Sequence, residues 1–232
     1  MTSDEIVQIF DTMGVENYDG FNSHFNTIST NLHFLTMLIL NKLPSDAKIL
    51  CVGVGTGADI MDLAKINKKW RFTGIEPSAS MLNGCKKKIE QEGLTDRCDF
   101  FQGYLSEFSS DQKYDAVLCF FVFHFIPKEE RKKIYSDMHK HLKNGGQIVH
   151  AEISCDLESD NFPSLLNDWK SLHSYAGGTE EKLVNMEKVL KEQLSILSPK
   201  ETEKLIQESE FKNPVPFFQS FIIRGWHAKK AN

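Results

Sequence analysis

Short apolar runs alternate with helical stretches through most of the chain. The runs fall at Lys48–Val52, Arg71–Ile75, Cys98–Gln102, Tyr114–Phe120 and Gln147–Glu152. Between them, Asp59–Asn67, Ser78–Glu92 and Lys128–Leu142 repeat apolar residues every three or four positions. Buried parallel strands read as continuous apolar runs, and helices connect them across the sheet, so this order predicts an α/β fold with both sheet faces covered. Pro127 followed by Glu129 and Glu130 predicts a helix start. Asn144-Gly145-Gly146 predicts a helix stop and turn. Two final runs, Val215–Ser220 and Phe221–Ala228, are close enough to pair antiparallel.

The pattern differs at two places. Residues 1–44 read as helical: Thr2 and Glu5 fit a capping box, and Phe21, Phe25, Ile28, Leu32, Leu35 and Ile39 recur as one buried face would. Residues 156–194 contain no convincing strand and are polar, helical and interrupted at Ala176-Gly177-Gly178. Order resumes with Ser198, Pro199 and Glu201, an N-cap, N1 and N3 set. The expected division is an N-terminal helical segment (1–44), a core (45–155 and 195–232) and an inserted helical lid (156–194).

Composition narrows the class only a little. A chain of 232 residues with 41% hydrophobic and 25% charged residues suits one large domain with a real core. A net charge of −5 argues against a nucleic-acid-coating surface. The five cysteines are scattered without metal spacing, which predicts free thiols in a reducing cytoplasm and no metal site. The longest apolar run, Phe34–Leu40, is far shorter than the roughly 20 residues of a membrane span, and the first residues lack the features of a signal peptide.

The stretch Ile49-Leu50-Cys51-Val52-Gly53-Val54-Gly55-Thr56-Gly57 carries the chemistry. Glycines after a strand and before a helix let a ligand approach the backbone, beside free N–H groups and the positive end of the helix. Two ligands fit that physics. Gly53-x-Gly55-x-x-Ala58, with Glu76 further on, meets the loose dinucleotide fingerprint. S-adenosylmethionine is the other. The surrounding residues favour it: Glu76-Pro77-Ser78 turns from strand to helix, Asp115 precedes the fourth strand, His124 follows it, and Gly145-Gly146 precedes the fifth.

This ordered set resembles the class I S-adenosylmethionine-dependent methyltransferase family over roughly residues 45 to 228. The resemblance implies a Rossmann-like, doubly wound, seven-stranded, mostly parallel sheet with an antiparallel last strand. It also implies that Gly53, Gly55 and Gly57 pass the methionine moiety, that Glu76, followed by Pro77, meets the ribose, that Tyr104 and Leu105 border the adenine, and that Cys119 and Phe120 lie beside the methionine end. The order of parts resembles in addition the branch containing the carboxy-S-adenosylmethionine synthases of tRNA wobble-uridine modification. Two positions depart from the family: Cys51 stands where an acid usually orients the cofactor, and Tyr104 where Asp is common. If Cys51 faces the ligand, Cys51→Asp should tighten cofactor binding.

His150 and Glu152 alternate at the carboxyl end of the fifth run, so they share a face, either as a catalytic base pair or as a hydrogen-bonded strand-end pair. Tyr18, His124, Trp169, His173 and Tyr175 are the substrate-side candidates; each could equally be packing. The expected function is methyl transfer to a small, partly apolar metabolite by a cytoplasmic enzyme, compatible with a homodimer and with neither membrane nor nucleic acid as partner. Carboxy-S-adenosylmethionine synthesis, and a degenerate cofactor-binding subunit, are the alternatives.

Overall fold

The computed structural model describes residues 2–231. Seven strands form one sheet in the order β3-β2-β1-β4-β5-β7-β6. Strands β1 (Lys48–Val52), β2 (Arg71–Glu76), β3 (Cys98–Gln102), β4 (Tyr114–Phe120) and β5 (Leu142–Ile153) run parallel to one another. Strand β7 (Ile223–Lys230) runs antiparallel to both β5 and β6 (Phe211–Ser220). Every residue of β4 is buried, as a central parallel strand covered on both faces requires. The expected mostly parallel sheet with a reversed last strand is the one observed. Edge strand β6 carries Pro214 and Pro216, and its pairing with β7 shifts on either side of them, since proline cannot donate to the ladder.

Asn144-Gly145-Gly146 does not end the helix and form a free turn, as the sequence suggests. It lies within β5, where Gly145 has φ +72° and the β4 pairing jumps from Tyr114↔Leu142 to Ala116↔Gln147. The glycines absorb the extra residues as a bulge.

Residues 2–44 form three helices, α1 (Ser3–Met13), α2 (Val15–Ser23) and α3 (Asn26–Leu40). The capping box of α1 is present, with Thr2 Oγ1 accepting from the Glu5 N–H and Glu5 from the Thr2 N–H. Gly14, at φ +72°, separates α1 from α2. Most of the expected face faces inward: Phe25 and Leu32 are buried and Ile28, Leu35 and Ile39 half-buried, while Phe21 on α2 is 42% exposed and α3 also buries His33, Thr36 and Leu40. A polar contact adds His33 to that face. His33 sits between two carboxylates of α4 (Ala58–Ile66), with Nε2 2.7 Å from Asp59 and Nδ1 2.7 Å from Asp62.

The remaining helices cover the sheet: α5 (Ala79–Gln91), α6 (Lys128–His141) and α9 (Pro199–Glu208). Residues 156–194 form α7 (Phe162–Tyr175), α8 (Glu180–Lys188) and a π-helical turn at Val189–Gln193. They pack through Phe162, Leu166, Trp169, Met186 and Leu190 against Ile222 and Ile223, a small apolar cluster of their own. Among the described residues, no helix is long and apolar enough to cross a membrane.

The clamp on His33 generates a pH dependence. Burial alone would lower the imidazole pKa, but hydrogen bonds to Asp59 and Asp62 outweigh it and raise it to about 10. A raised folded-state value means that the stabilisation is complete below the unfolded value of about 6.5 and is lost as pH rises through about 10. His33→Gln should therefore cost about 2 kcal/mol at pH 6, the scale of hydrogen bonds to charged groups, and the difference from wild type should shrink by pH 10. Urea unfolding of both proteins across that range measures it; a constant difference would mean that His33 is neutral in the folded chain.

Candidate active site

A cavity of about 570 Å³ opens at the carboxyl ends of β1, β2 and β4. Parallel sheets bind ligands at that edge because helix N-termini and flexible turns converge there. Its floor is the turn after β1. Gly53 (φ +69°) and Gly55 (φ +53°) both line it. A Cβ at Gly53 would strike Val122 at 2.3 Å. At Gly55 a Cβ would meet nothing closer than the Tyr18 hydroxyl at 4.0 Å, so the bare backbone there faces the opening.

Glu76 ends β2 and is 8% exposed. Its Oε2 accepts from the Gly55 N–H at 2.9 Å and its Oε1 from the Ser78 N–H at 3.0 Å. Burial pushes its pKa up, and these two N–H groups pull against that shift. A carboxylate has about four lone-pair directions, so two bonds leave acceptor capacity toward the cavity. Pro77, Tyr104 and Leu105 complete this end of the lining. Tyr104 adds a long contact, 3.5 Å, from its hydroxyl to Asp4.

The other wall is aromatic. Phe120, Phe121 and Phe125 come from the end of β4 and the 3-10 turn Phe123–Phe125 after it. Phe121 has φ +58°, a left-handed conformation uncommon for a side chain of this size, and its N–H is held by the Ala151 carbonyl at 2.7 Å. Phe10 of α1 stands edge-on to Tyr18 and Phe125, with centroids 6.0 and 5.5 Å away. Burial, with Asp59, Glu76 and Asp19 nearby, pushes the Tyr18 hydroxyl up to about 12, so it is a neutral donor.

Six expected site residues therefore line one cavity with Tyr18: Gly53, Gly55, Glu76, Pro77, Tyr104 and Leu105. Phe120 lines it as well. Others lie elsewhere. Cys51 is 1% exposed and packs in the core with Ile49 and Leu118, because alternation along β1 turns it into the helix-covered face. Burial drives its thiol pKa well up. Gly57 serves packing: a Cβ there would lie 2.6 Å from Cys85 Sγ. Cys119 is wholly buried on the opposite face.

His150 and Glu152 also correct an expectation. Both are fully buried and neither lines the cavity. Strand β7 pairs alongside both, and Arg131 of α6 and Thr202 of α9 reach Glu152, so this strand end is interior. His150 Nε2 lies 3.3 Å from Glu152 Oε1, and Glu152 Oε2 lies 3.5 Å from Arg131 Nη1. Thr202 donates to Glu152 at 3.3 Å. Arg131 donates through Nε to the Ile126 carbonyl at 2.9 Å and through Nη2 to the Ser195 carbonyl. The two sit in close ion-pair contact within a buried network behind the cavity wall, with His150 Nδ1 3.1 Å from the Cys119 carbonyl. His124 belongs with it: it is buried, its pKa is lowered to about 4 by burial, and it does not line the cavity.

The lid candidates are likewise outside. Trp169 is buried in the insert's own cluster, His173 packs on Phe21 and Phe25, and Tyr175 is 81% exposed. Residues 156–194 contribute nothing to the lining and reach it only through Phe121, which packs against their cluster. The roof is α1 instead, with Ile6, Val7 and Phe10 facing in. Their i, i+1, i+4 spacing in an amphipathic helix was the available signal.

A model of the methyltransferase domain family matches residues 49–146. The carboxy-S-adenosyl-L-methionine synthase of Campylobacter lari is 29% identical over 122 residues, 53% of this chain and 51% of its own length. The chain thus spans about half of that relative. The ubiquinone/menaquinone biosynthesis C-methyltransferase UbiE of Wigglesworthia glossinidia brevipalpis is 32% identical over 183 residues, 76% of this chain and 71% of its own. The solved structure of human N-acetylserotonin methyltransferase shares the fold, with a TM-score of 0.61 at 15% identity, over 86% of this chain and 51% of that one.

The buried positions give a clear expectation. Cys51→Asp should not tighten any ligand; it should place an unpaired carboxylate in the core and cost about 3 kcal/mol or more. Glu152→Ala should cost a similar amount, about 3–5 kcal/mol, by leaving Arg131 buried without its counter-charge. Denaturant melts measure both, and a Cys51→Asp variant as stable as wild type would put that side chain in solvent.

Proposed function

The chain belongs to the class I S-adenosylmethionine-dependent methyltransferases, and from that premise we propose that it methylates a small, apolar acceptor without a strong negative charge, held beneath α1 and α2. The cavity residues suit the cofactor. Glu76 keeps acceptor capacity for ribose hydroxyls. Gly55 lets the methionine portion pass close to the backbone. Tyr18, neutral and pointing at Gly55, is a donor for the cofactor's carboxylate. Tyr104 and Leu105 flank the adenine end.

Bound S-adenosylmethionine supplies an activated methyl group on a sulfonium whose departure leaves a neutral thioether. The chain's own contribution is alignment and exclusion of water. Phe10, Phe120, Phe121 and Phe125 form rigid walls for an acceptor, and positioning of that kind is worth several kcal/mol of barrier. Among the described residues the lining contains no histidine, and its carboxylates besides Glu76 sit on α6. An acceptor that ionises readily, or an amine, needs no protein base, which agrees with the burial of His150 and Glu152.

The observation that carries the acceptor class is the aromatic wall with its lack of cations. Among the described residues, Lys133 is the single basic one in the lining, and it lies on α6 among Glu129, Glu130 and Asp137. Carboxy-S-adenosylmethionine synthesis has to hold an additional carboxylate, for which a cation at the aromatic wall is the natural partner. Lys182 and Lys188 lie on α8, outside the lining. The named activity of the UbiE relative, C-methylation in quinone biosynthesis, fits an apolar acceptor better.

Two measurements test the reading. S-adenosylhomocysteine, and not NAD, should raise the melting temperature by mass action. Glu76→Ala should weaken S-adenosylhomocysteine binding by about 1.5–3 kcal/mol in a calorimetric titration, the scale of hydrogen bonds to a charged group. Stabilisation by NAD alone, or unchanged affinity in a folded Glu76→Ala variant, would sink the assignment.

A further inference from the structure

Helix α1 is tied to the turn that carries Glu76. Asp11, near its end, places Oδ1 2.5 Å from Ser78 Oγ and 3.1 Å from the Ser80 amide. The Ser78 hydroxyl accepts from the Met81 N–H at 3.2 Å, as the N-cap of α5, and gives its own proton to Asp11. The Ser78 amide donates to Glu76 Oε1, and Glu76 Oε2 takes the Gly55 amide. Four residues from three separate elements thus form one chain of bonds: Asp11, Ser78, Glu76, Gly55.

Helix α2 repeats the attachment on the other side of the glycine turn. Asp19 accepts from Thr56 Oγ1 at 2.8 Å and pairs with Lys88. Val15 seats against Gly84, where a Cβ would be 2.5 Å from its methyl group. Polar bonds with apolar packing between them make the seating of these helices specific, and the same seating brings Ile6, Val7 and Phe10 over the cavity.

We propose that Asp11 is a positioning residue for the cofactor: it sets the Ser78 turn and through it the Glu76 carboxylate, so that seating of α1 and cofactor binding are one coupled event. This rests on the reading that Glu76 holds the cofactor's ribose. Coupling of this kind is reciprocal. A ligand that favours the seated helix must itself be bound more tightly when the helix is seated, and its apparent affinity falls with the seated fraction.

The test is calorimetric titration of S-adenosylhomocysteine into wild type, Asp11→Ala and Asp11→Asn, with hydrogen exchange of residues 4–13. Asp11→Ala should raise Kd about tenfold, the fold-change of one lost charge-assisted hydrogen bond. Asp11→Asn keeps an acceptor oxygen for Ser78 and Ser80 and should stay within about threefold of wild type. In wild type the ligand should slow exchange of the α1 amides. A folded Asp11→Ala variant whose Kd stays within about twofold of wild type overturns the proposal. So does α1 exchange in wild type that is the same with and without ligand, a result that needs no variant to fold. Wild type that binds no S-adenosylhomocysteine at all overturns the cofactor assignment itself, and the wild-type titration separates that failure from the other two.

Discussion

One carboxylate holds two turns together. Glu76 receives the Gly55 amide on one oxygen and the Ser78 amide on the other, across the gap between the first and second βα units. Neither turn can move without stretching a bond to a buried, charge-bearing group. The cavity exists because these turns are locked at this distance while the glycine backbone contributes no side chain to fill it. An acidic group at this strand end is costly to bury, and its pKa is raised accordingly. Two amide donors offset part of that cost and still leave lone pairs for a hydroxyl-bearing ligand.

The second constraint is the roof. An open sheet edge with only turns around it would leave a cationic cofactor in water. Here α1 and α2 cover it with an apolar face and fasten themselves with carboxylates, Asp11 and Asp19, at the two turns that matter. The insert of residues 156–194 does different work. It closes the exposed end of the sheet beyond β5 and β7 and supports Phe121 from behind. Phe121 is held in a left-handed conformation between the two, so the aromatic wall inherits its position from a packed cluster and not from the loop itself.

The polar network behind that wall explains residues that look catalytic. His150, Glu152, Arg131 and His124 are all buried. Arg131 joins the wall at Ile126, the chain after the insert at Ser195, and β5 at Glu152. Buried ion pairs of this kind contribute little net stability, yet breaking one partner is costly. Their role here is to fix where three segments meet, which is why ionisable side chains gather near a site they do not enter.

The sequence by itself determined the sheet, its helices, the glycine turn and the acid at the end of β2. Those features are local: apolar runs, helical periods, caps, and a backbone that needs positive φ. Gly55, Glu76 and Pro77 were legible for that reason; Tyr104 and Leu105 came only from the resemblance to the family. What only the tertiary structure decided was which way side chains face when neighbours, not the strand itself, set their burial. Cys51 goes to the core because α-helices cover that face of β1. His150 and Glu152 become interior because β7 pairs alongside them and side chains of α6 and α9 close on Glu152. The turn at Asn144–Gly146 became a bulge because β5 had to keep pairing with β4. His33 is buried because it is held between two carboxylates that lie 26 and 29 residues away in the chain. Periodicity reports which residues share a face; only packing decides whether that face meets solvent, core or ligand, because burial depends on contacts between segments distant in sequence.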